Sequence, residues 1–166
     1  IGIPVISNVL LLPKYKKLRF HVKIALITSV VLILFGGLTI MLSESMPGGV
    51  LVNEPSMWRR FGMSTAQSIS ARTAGFAWLP NFQDISSSSR FMLMTLMFIG
   101  ASPASMGGGI KTVTFAVLVL SLLSYVCSTP EVTVWRRTIS KNNVQKAAAV
   151  LTAAVFAVLT ATWILA

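Results

Sequence analysis

Acidic residues are almost missing from this chain: Asp and Glu total four (Glu44, Glu54, Asp84 and Glu131) against 14 Lys and Arg. Cys127 is the only cysteine and His21 the only histidine. An internal disulfide is therefore excluded, and no His, Cys or carboxylate cluster has metal-ligand spacing. Without a nucleophile–base pair or a metal constellation, an enzyme is not expected, and no bound cofactor is implied. Charge of either sign is scarce, at 11% of residues, where a soluble domain carries about 25%.

Apolar residues fill the space that charge leaves: 54% of the chain is hydrophobic and its mean hydropathy is +0.77. This composition predicts an all-α polytopic membrane protein with several spanning helices. The net charge of +10 raises the question of nucleic acid. Most of the basic residues, however, gather in two clusters beside apolar runs: Lys14, Lys16, Lys17, Arg19 and Lys23, then Arg136, Arg137, Lys141 and Lys146. Those are the places where membrane topology is written, so no nucleic-acid partner is expected.

The run 24–42 carries no charged residue and is long enough for one span. Its Gly36-Gly37 pair suits close approach by a neighbouring helix. The basic loop ahead of it belongs on the cytoplasmic side, so this helix runs outward. Residues 56–71 are amphipathic, too polar and too short to span, and read as a re-entrant pore helix. Ser86 to Ser89 offer N-caps for the next helix. Residues 91–127 are mostly apolar and would extend about 55 Å as one helix, nearly twice the hydrocarbon thickness. Pro103 and Gly107 to Gly109 divide this run, giving a broken second span. Residues 128–146 form the second basic, cytoplasmic loop, and 147–166 a further span heading outward. Trp58, Trp78, Trp135 and Trp163 fall near span ends, as interfacial anchors do.

Two irregular segments at membrane depth point to a permeation pathway, because such backbone survives only in contact with protein or a watery cavity. In Thr73-Ala74-Gly75-Phe76, small residues and a glycine would let carbonyl oxygens face a cation in place of its hydration shell. The preceding helix would direct its negative end there. A plain turn would look the same in sequence, so the residues alone leave both readings open. Arg72, beside this segment, either sets an electrostatic barrier or ties the pore helix down through carbonyl contacts. Lys111 either repels cations below the break or anchors its helix by snorkelling. The run Gly109-Ile110-Lys111-Thr112 is not a phosphate loop, because Ile110 stands where that motif needs glycine.

The run Gln67 to Phe76 resembles the third pore loop of the Trk/Ktr/HKT superfamily of potassium transporters, nearest to the bacterial Ktr and Trk membrane subunits. Phe98-Ile99-Gly100-Ala101-Ser102-Pro103, with Gly107-Gly108-Gly109-Ile110-Lys111-Thr112, is similar to the broken second helix of the same repeat. On this resemblance, residues 1–12 end a preceding repeat and 24–127 form one complete helix–pore loop–helix repeat. Within it, 24–42 is the first span, 56–71 the pore helix, 72–76 the filter and 91–127 the broken second span. Residues 147–166 open the next repeat. A chain that opens on Ile1 and closes inside an apolar run at Ala166 is then expected to be a fragment of a longer protein.

The resemblance implies potassium translocation, with sodium as a second cargo, across the cytoplasmic (inner) membrane by a multi-pass subunit. Thr73, Ala74, Gly75 and Phe76 would be the filter, completed by the remaining repeats of the same polypeptide. Ala101, Ser102, Pro103, Ala104, Ser105, Met106, Gly107, Gly108 and Gly109 would be an intramembrane gating loop. The family's loop usually has glycine where Ala104 stands and threonine at Met106, and a polar residue commonly replaces Ala77. Implied partners are a second copy in a homodimer, a cytosolic ring of nucleotide-binding regulatory subunits, and membrane lipids. The basic segments 13–23 and 131–146 would face that ring or anionic lipid. The alternative from another class is a non-conducting helical scaffold that binds partners.

Overall fold

A computed structural model describes residues 20–73, 75–100, 109–127, 133–134 and 137–165. The fold is all-α apart from one two-residue strand pairing. It comprises α1 (Phe20–Glu44), α2 (Met57–Thr73), a 3₁₀ turn (Phe82–Asp84), α3 (Ser87–Phe98), α4 (Thr112–Val126) and α5 (Lys141–Leu165). Between α4 and α5, β1 (Thr133–Val134) pairs antiparallel with β2 (Arg137–Thr138).

Helix α1 is apolar all round. Its buried stripe includes Val22, Ala25, Leu32, Gly36 and Ile40, a spacing of three to four residues or its multiples that fits one helical face. Its other face exposes Ile27, Val31, Leu34, Phe35 and Leu38. A helix with apolar residues on every side belongs in a bilayer or a large core. Among the described residues, α1 and α5 are long and apolar enough to cross a membrane, with window hydropathies of 2.5 and 2.2.

The Gly36-Gly37 pair is where α1 meets its neighbours. A β-carbon on Gly36 would lie 2.6 Å from Ser68 Oγ of α2 and 2.7 Å from Leu96 Cδ1 of α3. One on Gly37 would lie 2.6 Å from Thr65 Cγ2 and 3.1 Å from Thr65 Cα. The main core cluster continues from this junction through Ile40, Leu51, Ala71, Leu79, Ile85, Leu93 and Leu96. It ties α1, α2, α3 and the two polar connections into one body. A smaller cluster, Val22 and Ala25 with Leu26 and Val113, joins the start of α1 to the start of α4.

Ser86 caps α3, its Oγ accepting from Ser89 N at 3.2 Å. The same residue meets a buried carboxylate. Glu44, at the last turn of α1 and 0% exposed, accepts from Val50 N (2.9 Å), Ser86 N (3.0 Å) and Ser86 Oγ (2.9 Å). A buried carboxylate is tolerated where donors satisfy its oxygens. Here it links the end of α1 to both connections that flank α2.

The second basic loop is shorter than the sequence suggests. Helix α5 begins at Lys141, so Lys141 and Lys146 are helical residues. Lys, Gln and Ala are good helix formers, and the Ser140 carbonyl accepts from Asn143 N at 2.9 Å to start the turn. Trp58 and Trp163, each 84% exposed, lie on the first turn of α2 and the last turn of α5.

Candidate functional site

Helix α2 runs two residues past the expected pore helix, so Arg72 and Thr73 are helical, and the chain emerging from it carries Ala74, Gly75 and Phe76 of the residues expected from sequence to form the filter. At 17 residues the helix extends about 25 Å, but its polarity and its buried Ser64, Gln67, Ser68 and Ser70 make it unfit to face lipid. Past the helix, Gly75 adopts φ +71°, the left-handed region, and its N–H donates to Ser70 O at 3.1 Å. Among the described residues, its chain neighbours aside, no atom lies within 4 Å of where a β-carbon on Gly75 would sit. Gly75 therefore combines a backbone that favours glycine with open space beside it.

The segment after Gly75 is tethered to α2 by side chains that the sequence reading gave no role. Ser70 Oγ donates to the Phe76 carbonyl, which turns that carbonyl toward the helix. Gln67, 3% exposed, accepts from Trp78 N at 2.8 Å. The Phe76 ring itself is 68% exposed. A buried Gln and a Ser at i and i+3 on a helix otherwise made to pack were the available signal, since both need a partner.

The second irregular segment sits where the apolar run breaks. Helix α3 ends at Phe98 and α4 starts at Thr112. Ile99 and Ile110 form a parallel bridge, and Ile110 N donates to Phe98 O at 2.9 Å. The two ends of the break are thus drawn together into a neck. Gly109 closes it at φ +76°, and a β-carbon there would lie 2.6 Å from Phe98 O and 3.0 Å from Met97 O. Of the loop expected to gate, Gly109 stands in this neck; Ala101, Ser102, Pro103, Ala104, Ser105, Met106, Gly107 and Gly108 lie outside the described residues, as does Ala74 of the filter.

Arg72 and Lys111 occupy different ends of this arrangement. Half-buried Arg72, on the last turn of α2, reaches Ser29 O of α1 through Nη1 (3.4 Å) and Gly100 O of the neck through Nη2 (3.3 Å). Lys111 is the residue before α4, in extended backbone at φ −64° and ψ 141°. The structure thus brings Arg72 to α1 and to the neck, and it sets Lys111 beyond the neck on the α4 side.

Comparison with known proteins identifies the family. The family model for TrkH, a cation transport protein, matches residues 2–166. The chain is 34% identical over 99% of its length to Ktr system potassium uptake protein D of Bacillus subtilis, covering 37% of that protein. It is 32% identical over 95% of its length to Ktr system potassium uptake protein B of the same organism, covering 35%. Similarity at 27% identity over 74% of the chain extends to the potassium/sodium uptake protein NtpJ of Enterococcus hirae, of which 26% is covered. The chain spans about a third of the length of the first two relatives. It belongs to the TrkH family of cation transport proteins.

Proposed function

We propose that this chain supplies one repeat, with its flanks, of a membrane subunit that conducts potassium across the cytoplasmic membrane, with sodium as a lesser cargo. The observation that carries this reading is Gly75. It sits at positive φ with open space beside it, immediately beyond the C-terminal end of a polar helix held among apolar ones. A carbonyl-lined filter needs that arrangement: backbone that can turn its oxygens to one side, and a helix end lending negative potential to the same place. The carbonyls of Thr73, Ala74 and Gly75 would face the ion, whereas the Phe76 carbonyl is engaged by Ser70. The rest of the ring would come from the other repeats of the longer polypeptide.

The neck between α3 and α4 is the second part of the reading. Residues 101–109 would cross the pathway below the filter and gate it, moving about the neck rather than unfolding it. Topology follows from charge: the start of α1, the segment 128–140 and the start of α5 lie on the cytoplasmic side, and the α1–α2 and α2–α3 connections outside. The names of the two Ktr relatives, each part of a "system", favour partner components. A homodimer on a cytosolic nucleotide-binding ring, facing the basic segments, is the assembly we propose.

The test is potassium-limited growth of an uptake-deficient bacterium carrying the full-length gene. Wild type should restore growth, and Gly75→Asp, which strains the backbone and puts a carboxylate in the passage, should abolish it. Equal rescue by the variant would move the filter elsewhere. No rescue by well-expressed wild type would favour a non-conducting scaffold.

A further inference from the structure

The guanidinium of Arg72 makes its two bonds to carbonyls on two different elements, Ser29 O of α1 and Gly100 O of the neck. Backbone bonds hold the chain near each end of this link. On one side, Arg72 belongs to the last turn of α2, and the Gly75 N–H bond to Ser70 O fastens the next residues to that turn. On the other side, Gly100 adjoins Ile99, which is bridged to Ile110. Gly100 is buried, as are Ile99 and Ile110. A planar fork can hold two carbonyls in fixed directions at once, which a lysine ammonium on a flexible stem cannot do.

We propose that Arg72 is a positioning residue for ion selectivity: it joins the filter-side end of α2 to α1 and to the neck, and so fixes the backbone leading into Gly75. This rests on the filter reading given above. Discrimination between potassium and sodium depends on where the carbonyls stand and how strongly they are held. A displaced α2 end shifts those oxygens even with every filter residue unchanged. The same position read as a charge barrier makes a different prediction, because a barrier needs a positive charge and no fork.

The experiment measures the potassium-to-sodium permeability ratio of the full-length transporter in liposomes, comparing wild type, Arg72→Lys and Arg72→Gln, with Gly75→Ser in parallel. Both Arg72 variants should assemble, conduct, and show a ratio lowered about tenfold, equivalent to about 1.4 kcal/mol. Lysine restoring the wild-type ratio while glutamine does not would show that charge is what matters, and would overturn the proposal. An unchanged ratio in both would overturn it too, as would failure of both variants to assemble, which would make Arg72 a folding residue. If glutamine alone fails to assemble, the ratio of the lysine variant decides. A ratio that moves with Gly75→Ser but not with Arg72 removes the joint alone; one that moves with neither removes the filter reading.

Discussion

Two glycines at nearly the same dihedral allow the neck to be tested apart from the filter. Gly75 has φ +71° and Gly109 φ +76°, so alanine at either adopts the left-handed region at about 1–2 kcal/mol. Their surroundings differ. Gly75 has nothing within 4 Å of its β-position, whereas at Gly109 the new carbon would meet Phe98 O at 2.6 Å, Met97 O at 3.0 Å and Gly100 N at 3.2 Å. All three are backbone atoms, so no side chain can swing aside. Relief requires opening the neck and losing the Ile110 N–Phe98 O bond, worth about 1 kcal/mol. Gly109→Ala should therefore cost about 2–3 kcal/mol, a factor of about 30 to 150 in the closed-to-open ratio of the neck, against about 1–2 kcal/mol for Gly75→Ala. The assay is thermal melting of the full-length protein in detergent, followed by loss of the monodisperse chromatographic peak. Gly109→Ala melting at the wild-type temperature, or above Gly75→Ala, would refute the neck geometry.

Glu44→Gln should destabilise the same preparation by about 1–3 kcal/mol. An amide offers one acceptor oxygen where the carboxylate accepts from Val50 N and Ser86 with both; a melting midpoint equal to wild type would count against the buried hub. Gly37→Ala should cost more than Gly36→Ala in the same assay. The Gly37 β-position is 3.1 Å from the Thr65 Cα, whereas Gly36 meets only the ends of Ser68 and Leu96, which can shift and let the alanine's better helix propensity, about 1 kcal/mol, offset the crowding.

The all-α fold, with long apolar helices at 20–44 and 141–165, was legible because it follows from composition. Apolar runs long enough to cross a bilayer, with basic residues at their flanks, leave few alternatives to helix. A helix over 56–71 was expected for a related reason, since an amphipathic, serine-rich stretch between apolar runs is neither loop nor span, and the structure has one over 57–73. The difference lies at the start of α5, where Lys141 and Lys146 read from their charge as part of a basic loop and the structure has them in the helix. Local helix propensity and the Ser140 carbonyl outweighed that. Charge marks which side of the membrane a segment occupies, not where its helix begins.

What the sequence concealed is a matter of partners. Arg72 bonds Ser29 O and Gly100 O, Glu44 bonds Val50 N and Ser86, and Gln67 bonds Trp78 N. In most of these contacts one side is main chain, which every residue possesses and no letter records. A pattern search can match Lys with Glu, but it has no means of pairing an arginine with a carbonyl. That is why the sequence offers two readings of Arg72, a barrier or a tether, and names no partner for it. The fold supplies the partners, Ser29 O and Gly100 O, by bringing together residues 29, 72 and 100 from three elements widely separated along the chain. A chain poor in carboxylates has few anionic partners for its arginines, and its buried polar side chains must turn to the backbone. In such a protein the joints between elements are made by the positions of carbonyls and amides, as side-chain pairs make them elsewhere.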